Sequence, residues 1–424
     1  MKVLFCTFDG PGYTGGPNSW LRRLVLFLRE RGVTVRVLVF VNAEFGETDF
    51  SGFPLVADFE RVGVDFRRFY WWESTEDRIR WIFRQVTDFG PDLFVPNMVI
   101  AAFWAARWVR EAGIPTVGVL HSDDEFHHAL LEVFVHGDPR WRITDLVCVS
   151  RHLETLAAAR PTDTRIHRIP YGVPRPETEV AEGPFRMLYV GRLEEEQKRI
   201  SDVARAMCRA ARECDVTGAI AGTGNARADV ERILRTEGDG RVELLGLVDN
   251  ATIQSLMARF QALVLLSDYE GLPIALMEAM ATGLVPVCTR MGSGIPELVE
   301  DGQTGILVED REAGFVRAIR RLIEHPDERR RLSRGARERV CDGEYAQDRC
   351  QAAWLRLISD LGASAKPISG PLGPPGASWR LKLPASDPRF SREDTRELPL
   401  FRRLIGIGRA KLGSAGRKLG VTKR

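Results

Sequence analysis

The chain has 424 residues, 44% of them hydrophobic and 28% charged, with a formal net charge of only +2. This length exceeds one ordinary core and suits two α/β domains, and the near balance of 60 basic against 58 acidic residues excludes a nucleic-acid polycation. No run reaches the ~18 apolar residues of a membrane-spanning helix, and seven scattered cysteines without CxxC spacing argue against a disulfide framework or a zinc site.

Short apolar runs alternate with helix-period segments, the pattern of parallel sheets joined by crossover helices. The opening MKVLFCTFDG reads as a strand over 3–8, since Asp9 breaks the apolar run too early for a signal peptide. A Gly/Pro loop over 9–17 follows, then a helix with Leu21, Leu24, Val25 and Leu28 on one face. Further strands are predicted at 33–41, 93–95, 116–120 and 146–149. The Pro/Gly-rich PYGVPRPETEVAEGP over 170–184 reads as a linker. A second series of strands is predicted at 185–190, 215–221, 242–244, 262–266, 285–288 and 306–308, and a last amphipathic helix at 345–361. The expected organisation is a first Rossmann-like domain over 1–172, a linker over 173–184, a second Rossmann-like domain over 185–344, a crossover helix over 345–361 and a flexible basic tail over 362–424.

Four places carry chemistry. The segment EGLPIALME over 270–278 puts Pro273 in the first turn of a helix and Gly271 in the turn before it. Glu270 then stands on the loop at the helix mouth, with Glu278 inside the helix among apolar neighbours. A carboxylate there is costly to bury without partners. The pair reads either as partly exposed acids favoured by the helix dipole, or as acceptors for a polyhydroxylated ligand whose phosphate meets the helix N-terminus. The second place is Gly191-Arg192-Leu193 with Lys198, after the strand over 185–190. Lys198 is the only lysine between residues 3 and 365 of an arginine-rich chain. It suggests a point charge beside a forked guanidinium on phosphate oxygens, or chance. Gly222-Thr223-Gly224 follows the next strand as a close-approach turn. The third place is Gly15-Gly16, a phosphate-approaching loop or a plain βα turn. The fourth is His121, at the carboxyl end of a strand, where open α/β sheets bind ligands. A metal cluster of His127, His128 and His136 with Asp123, Asp124 and Glu125 has no recognised ligand spacing.

In this order, over roughly 1–361, these motifs resemble the family-4 class of retaining GT-B glycosyltransferases. The resemblance also rests on the linker PYGV over 170–173, on GIPEL over 294–298, and on Asp301-Gly302 with Thr304-Gly305. It departs at Tyr171, where the family usually has Asn, and in lacking an Asp soon after Gly172. Both positions lie in the hinge, so the chemistry is expected to be intact. The resemblance implies an α/β GT-B architecture of two Rossmann-like domains facing across a cleft, with a helix crossing back to the first. It implies a sugar nucleotide, UDP- or GDP-linked, as donor and no required metal or other cofactor. Arg192 and Lys198 would neutralise the donor diphosphate and Glu278 would hold the ribose. Glu270 would grip the sugar hydroxyls, and His121 would line the sugar site. Gly15, Gly16, Gly222, Gly271, Leu272 and Pro273 would contribute to the donor site, and backbone at Leu247 and Val248 would edge the base. The acceptor would be a glycan, a lipid-linked or a small molecule, met by first-domain loops that include the aromatic run over 69–72, which reads equally as core or lid.

Two readings outside this one stay open: a non-catalytic sugar-nucleotide-binding scaffold, and a phosphorylase or epimerase on the same architecture. A phosphorylase needs a buried lysine for its pyridoxal group, and the one mid-chain lysine is already assigned. The segment after 362 has no family counterpart. Its residues 402–424 hold eight basic groups and no acid, with Leu400, Phe401, Leu404, Ile405, Leu412 and Leu419 roughly on one face. That is either a peripheral contact with an anionic membrane surface or a solubilising tail. The expected location is the cytosol, with the inner membrane face as the alternative, and no nucleic-acid partner.

Overall fold

The computed structural model describes residues 1–13, 15–43, 47–249, 252–368, 370, 372–373, 381–390 and 394–395. The first half holds seven parallel strands: Lys2–Asp9 (β1), Thr34–Val41 (β2), Asp65–Tyr70 (β3), Leu93–Val95 (β4), Val117–Leu120 (β5), Asp145–Cys148 (β6) and Arg165–Arg168 (β7). They lie in the orders β3-β2-β1-β4 and β5-β6-β7, joined by a parallel bridge between Phe94 and Thr116. The second half holds six: Arg186–Val190 (β8), Thr217–Ala221 (β9), Val242–Gly246 (β10), Ala262–Leu265 (β11), Val285–Thr289 (β12) and Ile306–Val308 (β13), ordered β10-β9-β8-β11-β12-β13. Counted within each half, both sheets read 3-2-1-4-5-6, the Rossmann order, with one more strand in the first. The expected α/β GT-B architecture is therefore the one observed.

The strands form where the sequence offers continuous apolar runs, because both faces of each sheet are covered by helices. VLFC in β1 and VRVLVFV in β2 are buried almost throughout. Two edge strands escaped the sequence reading. DFRRFY (β3) and RIHR (β7) carry charge at sheet edges and are only partly buried, so they show no apolar run. The strand expected from 215 begins at Thr217, because Asp215 takes a left-handed φ of 53°.

The last long helix, Gln347–Gly362, buries Cys350, Trp354, Leu357, Ile358 and Leu361. Its Trp354 lies 5.3 Å from Trp20 of the Gly16–Glu30 helix, so the crossover helix closes on the first half. The linker is tied to this return, with Val173 N–H donating to Tyr345 C=O and Gln347 N–H to Val173 C=O.

The expectation of a flexible chain from 362 onward needs correction. Leu381 and Phe390 are buried, and the Phe390 ring packs 5.6 Å from Phe126 and 6.1 Å from Phe134. The Asp394 carboxylate accepts from Thr75 Oγ1 (2.8 Å), Ser386 Oγ (2.6 Å) and Trp104 Nε1 (3.3 Å). A Pro/Gly-rich composition concealed a strap that docks through a few apolar and hydrogen-bonded anchors rather than through periodic structure. The amphipathic reading of 400–424 lies outside the described residues. Among the described residues no helix is long and apolar enough to cross a membrane.

Candidate active site

In a sheet of this order the crevice opens where the strand sequence reverses, at the carboxyl ends of the first and fourth strands. In the second half these are β8 and β11. The chain leaves β8 into residues 191–198 and leaves β11 into 266–270, so topology alone brings Arg192, Lys198 and Glu270 to one edge. Lys198 Nζ lies 2.5 Å from Glu270 Oε1, and the two side chains are 12% and 6% exposed. Gln197 Nε2 donates to Tyr269 C=O (2.9 Å) and Glu270 Oε2 (3.3 Å), while its Oε1 accepts from Arg192 (2.8 Å). Arg192 also pairs with Glu194 at 2.8 Å and stays partly exposed.

Glu270 was expected on an open loop. It is instead buried, because Gly271 lets this loop press against the first half: a Cβ there would stand 1.9 Å from His121 C=O. Gly222, with φ 150°, makes the matching approach behind Arg192, where a Cβ would meet Gly191 C=O at 1.9 Å. Gly222 N–H donates to Gly246 C=O (2.7 Å), which holds the next loop, with half-exposed Leu247 and partly buried Val248, beside this turn.

Two helix N-termini meet at the cleft. The Gly16–Glu30 helix starts at Gly15 and the Ile274–Thr282 helix at Pro273, each without a side-chain cap, so first-turn N–H groups have no intrahelical partner. Pro273 occupies the cap position, one residue earlier than expected, and Leu272 before it is buried. Gly16 faces Ile274, its virtual Cβ 3.4 Å from Ile274 Cδ1. Glu278, one turn further, pairs with Arg23 of the opposing helix, a partner the sequence reading missed. Arg23 lies between the buried Leu21 and Leu24 of its helix, and nothing in the sequence distinguishes it from the neighbouring Arg22.

His121 follows β5 and is buried. Its Nδ1 meets the Tyr171 hydroxyl and its Nε2 meets Asn97 Oδ1. Burial pushes its imidazolium well below the ordinary pKa, and neighbouring His127 adds to this. Asn97, fully buried at the carboxyl end of β4, sits at the reversal point of the first sheet and was also missed. Its signal was a polar residue two positions after a short apolar strand, past Pro96. Tyr171, expected to matter only to the hinge, touches His121. The weighed metal cluster resolves into pairs: Asp124 Oδ1 takes His127 Nδ1 (2.6 Å), and Asp123 takes His128 Nε2 and His152 Nε2 (2.7 Å each). Burial raises the Asp124 carboxyl, but His127 outweighs it and holds the group well below the usual carboxylate range. The aromatic run divides: Phe69 stacks on Trp81 (4.9 Å) at the edge of the core, and Tyr70 stacks on Trp72 (5.1 Å).

Comparison with known proteins finds relatives of both halves. Residues 14–175 match the family model described as Glycosyltransferase Family 4, and residues 184–325 match the one described as Glycosyl transferases group 1. The chain is 29% identical over 272 residues to an alpha-D-kanosaminyltransferase of Streptomyces kanamyceticus, covering 56% of this chain and 68% of the relative. It is 35% identical over 181 residues to a glycogen synthase of Mycobacterium tuberculosis, covering 41% of each, so it spans about two fifths of that relative's length. The structure of Anabaena HepE in complex with UDP-glucose superposes with a TM-score of 0.68 at 19% identity, covering 85% of this chain and all of that one. With each half matched by a glycosyltransferase family model and the fold shared with solved structures such as HepE, the chain belongs to the family-4-like glycosyltransferases of the GT-B fold.

Proposed function

We propose that the protein transfers a sugar, with retained configuration, from a nucleotide-diphosphate sugar to a glycan, lipid-linked or small-molecule acceptor. The observation that carries this reading is the buried Lys198–Glu270 pair beside Arg192, at a strand-order reversal and next to two uncapped helix N-termini. Such a group of cations and N–H donors suits the charge that grows on a leaving diphosphate, and preorganised donors lower that barrier without reorganisation. In this reading Arg192 and Lys198 hold the diphosphate, with Gly15, Gly16 and the Gly271-Leu272-Pro273 turn supplying close backbone approach. Glu270, already oriented by Lys198 and Gln197, grips sugar hydroxyls. Glu278 exchanges its Arg23 contact for the ribose, and His121 lines the sugar side. Gly222 lets backbone close behind the phosphates, and Val248 edges the base. The chemistry needs no metal beyond these charges.

A UDP donor is favoured over GDP because the HepE structure holds UDP-glucose. The name of the Mycobacterium tuberculosis relative, glycogen synthase, favours a saccharide acceptor. The basic chain over 402–424 supports contact with an anionic membrane on the cytosolic side, where each basic group near the surface adds about 1 kcal/mol. The test is a thermal-shift screen of the full chain against UDP-, GDP- and ADP-sugars, followed by turnover and NMR of the product anomer. Stabilisation by one series and a product with the donor's anomeric configuration are expected. Binding without turnover in the presence of acceptor sugars would leave a scaffold, and an inverted product would overturn retention.

A further inference from the structure

Three residues far apart in sequence converge on one imidazole. Asn97 follows β4, His121 follows β5, and Tyr171 opens the linker between the halves. All three side chains are at most 5% exposed. The Tyr171 ring stacks on His121 with centroids 5.9 Å apart and planes 16° from parallel, and Trp20 meets the imidazole edge-on at 5.4 Å. The imidazole is thus fixed on its faces as well as at both nitrogens.

The donors and acceptors define its protonation. Asn97 Oδ1 can only accept, so Nε2 must carry the hydrogen. Nδ1 is then a bare acceptor, and the Tyr171 O–H donates to it. The titratable groups beside it are Asp124 and His127 on the adjacent helix start, His127 with its ring 6.2 Å from His121, and Asp124 is already paired with His127. Asn97 holds a φ of 26° and Met98 a φ of 51°, two consecutive left-handed residues that are not glycine. Such backbone is strained and persists where its surroundings over-determine it. The Nδ2 of Asn97 is buried with no hydrogen-bond partner among the described residues. An amide chosen for packing would not leave a buried N–H pair unmatched.

We propose that Asn97 and Tyr171 are positioning residues that lock His121 as the neutral Nε2–H tautomer at the sugar side of the cleft. This rests on the reading of His121 given above. Val173, two residues on from Tyr171, is tied to the start of the crossover helix, which packs on the first half, so Tyr171 is held to the same body as His121.

The test is 15N NMR of the full chain labelled at its seven histidines, with His121 assigned by the signal lost in His121→Gln. The wild type should show the neutral Nε2–H pattern across about pH 5.5 to 8. Tyr171→Phe keeps the stacked ring and removes the hydroxyl; it should mix the two tautomers. With UDP-glucose as the donor probe it should lower kcat about tenfold while KM stays within about twofold. Asn97→Asp keeps the acceptor and adds a charge; His121 should hold its second proton to higher pH, with an imidazolium pattern appearing at the acidic end. A wild-type Nδ1–H pattern, or a Tyr171→Phe spectrum identical to wild type, overturns the proposal. The wild-type spectrum and Asn97→Asp decide it even if Tyr171→Phe fails to fold. A changed tautomer with unchanged turnover supports the lock and instead removes His121 from the sugar site.

Discussion

The second half gathers its polar groups from two loops, 191–198 and 266–270, that flank one strand-order reversal, and they bond mainly to one another. The first half reaches the same cleft with Gly16, Arg23, Asn97, His121 and Tyr171, drawn from four separate segments, and these bond across elements and across the halves. On the proposed function, the difference follows from what each side has to meet. A diphosphate demands particular charges and close backbone approach, which restricts residue types and spacing. A sugar or acceptor surface can be met by many residue types, so the first half solves its packing case by case.

The comparison can be broken most forcefully at Glu270. Removing one partner of a buried pair leaves the other charge uncompensated, so Glu270→Ala should cost about 3–5 kcal/mol in urea unfolding. Glu270→Gln should keep the fold yet lower turnover at least tenfold, about 1.4 kcal/mol in barrier. Stability unchanged in Glu270→Ala would mean that the Lys198 pair does not hold this half of the site together. The crossover helix comes next. Trp354 is 1% exposed and packs on Trp20, so Trp354→Ala should cost about 3 kcal/mol through the cavity it leaves.

The strap offers a third test. A chain ending at Leu361 should lose about 2 kcal/mol relative to one ending at Thr395, since only the longer chain buries Phe390. Equal melting temperatures would contradict the docking of Asp394 and Phe390. Membrane binding is accordingly compared between the full chain and the one ending at Thr395, in which the first domain keeps its strap. Salt-sensitive liposome binding by the full chain alone is expected. The smallest effect concerns Arg23 and Glu278, whose side chains are 20% and 11% exposed. A double-mutant cycle should give a coupling of about 1 kcal/mol, and a coupling near zero would remove this contact between the halves.

Much of this was legible in the sequence where burial and phosphate chemistry constrain residue choice. Apolar runs announced β1, β2 and β8 because central parallel strands are covered on both faces. EGLPIALME and the isolated Lys198 singled out residues that the fold brings to one sheet edge. Edge strands β3 and β7 were hidden by their charge, and the strap over 381–395 by its lack of period. Asn97 and Arg23 were hidden because their partners, His121 and Glu278, lie 24 and 255 positions away, and no local pattern encodes such a contact. The burial of Glu270 was missed for a related reason: the covering group is the backbone of His121, which only the docking of the two halves brings there.

The central claim is that the second-half edge is a diphosphate site. Arg192 tests it most cleanly, because its partly exposed side chain can be removed at a stability cost within about 0.5 kcal/mol. Calorimetric titration of wild type and Arg192→Ala with UDP and with uridine separates charge from base recognition. The account predicts that Arg192→Ala weakens UDP binding about tenfold or more, about 1.4 kcal/mol, and leaves uridine binding where it was. Equal losses for the two ligands, or UDP binding as tight as in wild type, would contradict it.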